Sequence, residues 1–479
     1  MSTKPLWTSE AMARAMGASV RSAVPKAISG LSIDSRTISR GDAYFAIKGD
    51  LHDGHAFVEA ALKAGAALAV VEAAQAAKFA ADAPLLVVDD VLAGLVELAH
   101  ASRARIKGQV IAVTGSVGKT STKEALRNVL SAQGETHASS ASFNNHWGVP
   151  LSLARCPEDV KFAIAEVGMN HSGEIRELVK MVRPHVAIIT TVEPVHLEFF
   201  AGIEGIADAK AEIFESLEPD GAVVINRDNS QFERLQACAK ELGVSRIVSF
   251  GADRAADARL LDLSLHATCS AVHADILGQQ VTYKLGMPGR HMAMNSLAVL
   301  AASALVGADL ARAALSLSQI EAVVGRGVRR TLQVASGEAL LIDESYNANP
   351  ASMAAALNVL GQAPVGQHGR RIAVLGDMLE LGPTGPALHG GLIEAVRANR
   401  IDLVYCCGPL MRNLWDALST GKRGGYAESA AALEAQAVAS IRAGDAIMVK
   451  GSLGSKMKTI VNALEKRFPG RTALDEAAV

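Results

Sequence analysis

QVIAVTGSVGKTSTKEAL, residues Gln109 to Leu126, decides how the chain around it folds. Val110, Ile111 and Val113 form an apolar, β-branched run that reads as a buried strand. The run stops at Thr114-Gly115-Ser116-Val117-Gly118-Lys119-Thr120 and gives way to a helical pattern. Strand, glycine loop, lysine and helix start form the geometry that cradles a triphosphate. The glycines let backbone N–H groups approach phosphate oxygens. Lys119 would neutralise the β- and γ-phosphates, and the Thr120 hydroxyl would ligate Mg²⁺. The strict pattern G-x-x-x-x-G-K-[ST] would put a glycine where Val113 stands. The competing reading is a chance glycine-rich turn, and the strand and helix flanking the loop argue against it.

A chain of 479 residues is too long for one ordinary domain, and its length suggests about three. Hydrophobic residues are 49% and charged ones 20%, so there is ample core and no disorder signature. The net charge of −2 gives no nucleic-acid footprint and no polybasic membrane patch. MSTKPLWTSEAMARAMGA, at the start, lacks the apolar core of a signal peptide. The longest uncharged apolar stretch, Ser296 to Ala308, is shorter than the roughly 18 residues of a membrane span and reads as a buried helix. Five cysteines without a C-x-x-C predict reduced thiols and a cytoplasmic protein, with Cys406-Cys407 in a core.

Three blocks follow. Residues 1–87 read as a small α/β unit, with strands at 43–47, 68–71 and 85–88 and a helix near 57–64. Residues 88–325 alternate strands at 109–114, 161–166, 186–191 and 222–226 with helices at 119–131, 173–182 and 204–217. That alternation predicts a mostly parallel sheet of the mononucleotide-binding kind, covered on both faces. After Phe250, period-two stretches at 259–265, 270–276 and 280–285 suggest an antiparallel appendage, then a helix at 291–306. Residues 326–479 alternate again, with strands at 340–344, 371–376, 402–407 and 445–450, as in a Rossmann-like α/β domain. Gly325-Arg326-Gly327 is the expected hinge.

Ligands of open α/β sheets collect at the carboxyl ends of strands. Thr120, Glu166, Glu193 and His196 all follow such ends and would share one rim with the phosphate loop. Thr120 and Glu166 supply hard oxygens for one Mg²⁺, and Glu166 with His196 suit a second. Against this stand bland readings: a capping or salt-bridged glutamate, and a structural histidine.

These segments resemble the Mur ligases, ATP-dependent amide-forming enzymes of bacterial peptidoglycan synthesis. The T-G-S-x-G-K-T loop is similar to that family's phosphate loop. So are FNNHWGVPLSL (143–153), EVGMNHSGEI (166–175), TTVEPVHLE (190–198) and ADAKAEIF (207–214), in order and spacing. DSRTISRGDAYFAIKGDLHDGHAF (34–57), IDESYNANPASMAAAL (342–357), VLGDMLELG (374–382) and KGSLGSKM (450–457) resemble the members that add a dipeptide. No D-N-P-R tetrapeptide, the mark of members that add the third stem residue, is present.

The resemblance implies a reaction: D-alanyl-D-alanine joined to UDP-N-acetylmuramoyl-tripeptide, with ATP and two Mg²⁺ ions, through an acyl phosphate; the self-contained three-block plan makes a monomer the default. It implies that residues 1–87 bind the UDP-sugar end, 88–325 bind ATP and 326–479 bind the dipeptide. For ATP it points to Thr114, Gly115, Ser116, Val117, Gly118, Lys119, Thr120, His291, Asn295, Arg326 and Asp343, the last toward the ribose. Met292 stands where the family has an asparagine. For substrate it points to Ser35, Arg36, Asp53, Gly54, His55, Asn144, Asn145, Tyr346, Asn347 and Asn349. Thr120, Glu166, His196 and Lys210 would hold metal. Lys210 matches a lysine that is carbamoylated in the family; without the resemblance it reads as an exposed helical lysine. The DSR and DGH segments read equally as ordinary turn chemistry. The alternatives to this activity are a related ligase such as folylpolyglutamate synthase, and a non-catalytic nucleotide-binding scaffold.

Overall fold

The computed structural model describes residues 4–49, 52–139, 142–195 and 197–470. The strand Gln109–Thr114 lies inside a nine-stranded sheet. Phe162–Glu166 pairs with it in parallel on one side and Val186–Ile189 on the other. The chain thus builds outward from Gln109–Thr114 in both directions. This reversal creates the crevice at the carboxyl ends where open α/β sheets bind ligands.

Both faces of this sheet are covered, which explains the unbroken apolar run. Ile111 and Val113 pack with Leu126 and Val129 of the helix Lys119–Ser131 and with Leu297 of the helix Arg290–Leu305. Val110 and Ala112 point the other way, into a core with Val149, Val179 and Ile206.

The period-two stretches expected as an antiparallel appendage do pair antiparallel, and they extend the edge of the same sheet. Ala258–Leu265 pairs in parallel with Arg246–Gly251, and Ser270–Ile276 and Gln279–Leu285 follow antiparallel. The reason is burial: Val272, Ala274, Ile276, Tyr283 and Leu285 belong to the same core as Leu297.

A five-stranded sheet forms from the first block, with Leu68–Glu72 between Leu85–Val88 and Asp42–Phe45. The last block forms a six-stranded sheet whose central strand, Ala446–Lys450, lies between Gly337–Glu344 and Arg371–Gly376, all parallel. The fold is therefore α/β with mostly parallel sheets. Cys406 and Cys407 sit on opposite faces of Leu403–Cys407, each buried in its own core, and all five cysteines are free thiols.

The helix expected at 204–217 stops at Ala211 and tightens into a short 3₁₀ turn, Glu212–Phe214. Glu212 accepts hydrogen bonds from Gly173 N (2.7 Å) and Arg176 N (3.0 Å), satisfying the N-terminus of the helix Glu174–Val182. Among the described residues no helix is long and apolar enough to cross a membrane.

Candidate active site

A cavity of ≈590 Å³ opens at the carboxyl end of Gln109–Thr114. Ser116 to Thr120 line it from the central sheet, with Asn144, Asn145, Glu166, His291 and Asn295. Arg326, Glu344, Tyr346, Asn347, Asn349 and Lys450 line it from the last block.

The loop is held by its neighbours. Gly118 adopts φ +88°, and a Cβ there would lie 2.6 Å from Asn295 Nδ2. Only glycine allows both the left-handed turn and this approach. Thr190 Oγ1 donates to Val117 O (2.5 Å), and Ser116 Oγ donates to Glu193 O (3.0 Å). Lys119 folds back to donate to Gly115 O (2.5 Å). Burial pulls the Lys119 amine below its usual range, an effect that Glu166 opposes and Arg326 reinforces. Thr114 is fully buried; Thr114 and Gly115 lie behind the loop, outside the cavity lining.

Glu166 closes its strand with a half-used carboxylate. Oε1 accepts from Thr120 Oγ1 (3.0 Å) and Asn144 Nδ2 (2.8 Å), whereas Oε2 is buried with no hydrogen-bond partner. Such an orphaned acceptor is costly unless a cation meets it. Among the described residues no three His, Cys, Asp or Glu side chains gather into a metal cage. Thr120 and Glu166 therefore fit a Mg²⁺ that takes its other oxygens from phosphates and water. His196 lies outside the described residues.

Lys210 is not the exposed lysine that its helix suggested. It is 2% exposed, and burial, with a smaller push from Lys119, holds its amine well below the usual lysine range. His291 is likewise pushed down by burial.

From the last block, Arg326 sits between two glycines, Gly325 (φ +74°) and Gly327 (φ +98°). Its guanidinium stacks 4.3 Å from the Tyr346 ring centroid and reaches Ser142 Oγ at 3.4 Å. Asn349 caps the helix Pro350–Gln362 in a reciprocal box with Ser352. Lys450 Nζ donates to Asn347 O (2.9 Å) and pairs with Glu344 Oε2 (3.3 Å).

Asp343 does not reach the cavity. Strand alternation turns it away from the side on which Glu344 lines it. Its oxygens accept from Ser345 Oγ (2.6 Å) and Lys458 Nζ (2.7 Å). Burial works against the charge, but Lys458 and Ser345 outweigh it and hold the carboxyl below the usual range. Asp343, expected toward the ribose, is thus braced internally and outside the cavity lining.

Ser35, Arg36, Asp53, Gly54 and His55 belong to the first block and lie outside this cavity. Arg36 is 86% exposed and, among the described residues, pairs only with Asp34 (2.7 Å). His55 is buried: Nδ1 meets Asp53 Oδ1 (2.7 Å), and Nε2 accepts from Glu72 N (3.0 Å). Gly54 packs so tightly that a Cβ would lie 2.5 Å from Ile47 O. Asn145, besides lining the cavity, accepts from Gly148 N (2.9 Å) at the start of the helix Gly148–Ala154. The sequence reading missed Glu344 and Lys450, although both close strands, the same signal that found Glu166.

Three family models match the chain: the Mur ligase family catalytic domain over residues 27–106, the Mur ligase middle domain over 113–303, and the Mur ligase glutamate ligase domain over 329–453. The UDP-N-acetylmuramoyl-tripeptide–D-alanyl-D-alanine ligase of Escherichia coli strain K12 is 33% identical, the match covering 91% of this chain and 93% of that protein. The chain belongs to the Mur ligase family. Its fold also matches a MurF crystal structure from Acinetobacter baumannii, with TM-score 0.82 and 28% identity, covering 96% of this chain and 99% of that one. A MurF ligase from Thermotoga maritima, solved in complex with ADP, matches with TM-score 0.74 and 25% identity over 91% and 98% of the two chains. The middle-domain match begins at Val113, so the phosphate loop of this Mur ligase is family sequence despite its missing first glycine.

Proposed function

We propose that this Mur ligase joins D-alanyl-D-alanine to UDP-N-acetylmuramoyl-tripeptide at the expense of ATP. The observation that carries the reading is one cavity lined both by the phosphate loop and by Arg326, Tyr346, Asn347 and Lys450 of the last block. A relative that matches nearly end to end bears the name of that activity. Residues 1–87 hold the UDP-sugar end, 88–325 hold ATP, and 326–479 receive the dipeptide.

The tripeptide's terminal carboxylate is a poor electrophile, and transfer of the γ-phosphoryl group gives it a leaving group. Lys119 and the loop N–H groups offset charge on the phosphates. Mg²⁺, held by Thr120 and Glu166 with His196 at a second ion, adds charge neutralisation when bound. Arg326 reaches the phosphates from the other side, and Asn295, beside Gly118, lies toward the base. The amine of the dipeptide then displaces phosphate from the acyl phosphate. Closing the cavity keeps water from that intermediate.

Lys210 is carbamoylated in this reading. Its suppressed basicity favours the neutral amine that attacks CO₂; the N–C bond forms as one C=O π bond opens, a nitrogen proton is lost to solvent, and the product is an anionic oxygen donor. The enzyme works as a cytoplasmic monomer; one chain supplies both walls of the cavity, and the five thiols are free.

The test is ADP release with product mass spectrometry. Turnover should need both the sugar-nucleotide tripeptide and D-alanyl-D-alanine and yield the pentapeptide. ¹⁸O placed in the tripeptide carboxyl should appear in inorganic phosphate. Turnover on folate plus glutamate, or label-free phosphate, would overturn the proposal.

A further inference from the structure

Lys123 is fully buried, and the reaction above leaves it without a task. It leaves the phosphate-loop helix one turn after Lys119, behind Glu166 and outside the cavity lining. Its ammonium donates to Ser139 O (2.7 Å), lies 2.9 Å from Glu124 Oε1 and 3.8 Å from Glu166 Oε2.

Burying an ammonium is expensive, and an apolar side chain would fill the space between helix and sheet more cheaply. Pairing with Glu124 does not account for it, because Glu124 already has Arg127 at 2.7 Å. Glu166 is different. Thr120 and Asn144 both hold Oε1, and Oε2 has no hydrogen bond. Among the described residues, the cation that Oε2 faces is Lys123. The Ser139 carbonyl fixes where that cation stands, on the segment that follows the strand Thr136–Ala138.

We propose that Lys123 is a positioning residue for Glu166: its tethered ammonium holds the far side of the carboxylate, so that the near side stays beside Thr120. The idea rests on the reading of Thr120 and Glu166 as metal ligands. A purely structural lysine would influence stability and leave metal affinity alone.

The experiment measures Mn²⁺ binding to the ADP-bound protein from the electron paramagnetic resonance signal of the free ion, without turnover. Lys123→Met should weaken Mn²⁺ by about 10- to 100-fold, the usual effect of losing a group that orients a metal ligand. ADP affinity measured without metal should not change. A folded Lys123→Met protein with unchanged or tighter Mn²⁺ binding would overturn the role of Lys123. Failure of the wild-type ADP complex to bind Mn²⁺ would instead strike at the metal-ligand reading itself. Should Lys123→Met not accumulate as folded protein, Lys123→Met/Glu166→Gln decides. Recovery of folded protein supports the coupling, and continued failure refutes it.

Discussion

Glu166 and Asp343 both stand at the carboxyl end of a parallel strand, both are buried, and both were expected to serve the nucleotide. Their surroundings differ. Asp343 gives both oxygens to Ser345 and Lys458 and lies outside the cavity lining. Glu166 lines the cavity and keeps Oε2 without a hydrogen bond. Position at a strand end therefore nominates a carboxylate, and only its unspent hydrogen-bonding capacity marks it as chemistry rather than bracing.

Glu166→Gln gives the sharpest break of this contrast. If Glu166 holds Mg²⁺ as proposed, the substitution should lower kcat by roughly 10³-fold or more, in line with the several kcal/mol that metal charge stabilisation supplies. The melting temperature should fall little beside that loss of rate, since Gln keeps an oxygen for Thr120 and Asn144 while Lys123 loses an ion partner 3.8 Å away. A variant that melts earlier but turns over normally would make Glu166 a brace like Asp343.

Lys210→Ala comes next. The buried amine, depressed by desolvation, has no hydrogen bond or ion pair among the described residues, which is the same unspent state in a cation. Turnover should fall by roughly 10²-fold and recover in part with acetate or formate, which replace the missing anionic ligand. ¹³C-labelled CO₂ should give a carbamate resonance in the wild type and none in the variant. Wild-type turnover by Lys210→Ala would remove the carbamate from the mechanism.

Asp343→Asn should do the reverse of Glu166→Gln and cost mainly stability. Loss of the Lys458 and Ser345 bonds should cost about 1–3 kcal/mol at neutral pH. The sign with pH follows from the depressed carboxyl. Its folded pKa lies below the unfolded value of about 3.9, so the contribution is complete above that pH and fades as pH falls through the folded pKa. The gap in stability between wild type and variant should thus be constant from pH 7 to about 5 and close under stronger acid. A gap that widens on acidification, seen in denaturant titrations, would refute the brace.

The same contrast explains what the sequence reveals. Runs such as Val110–Val113 and Ala446–Val449 are apolar on both faces, so the parallel sheets can be read directly. The edges are harder. Arg423–Ala427 contains two glycines and pairs on one side only, and the hairpin strand Val328–Val334 is half polar. The phosphate loop was legible because its glycines, lysine and threonine are contiguous. Lys450 and Glu344 were not, because their meeting depends on the pairing of Gly337–Glu344 with Ala446–Lys450, more than 100 residues apart. The burial of Lys210 and Lys123 has no local signal at all: a lysine on a helix reads as exposed until a neighbouring sheet covers it.

The smallest effect belongs to the first block, where Arg36 and His55 repeat the contrast on a milder scale. His55 is committed on both ring nitrogens, to Asp53 and to Glu72 N. His55→Ala would leave the partly buried Glu72 N–H without an acceptor and should cost about 1 kcal/mol of stability. Arg36 is exposed, and its ion pair with Asp34 contributes almost nothing to folding. Its planar fork, held through Nε and Nη2 by Asp34, would meet a diphosphate in two parallel bonds by exchanging that partner. Arg36→Ala should therefore leave the melting temperature alone and raise KM for the sugar-nucleotide tripeptide roughly tenfold, the worth of one charge-assisted hydrogen bond. KM for ATP and for D-alanyl-D-alanine should not move, since Arg36 lies outside the cavity proposed to hold both. An Arg36→Ala enzyme with unchanged KM for the tripeptide would reduce Asp34-Ser35-Arg36 to a capped turn, and a shift in all three KM values would mean the substitution acts through domain closure instead.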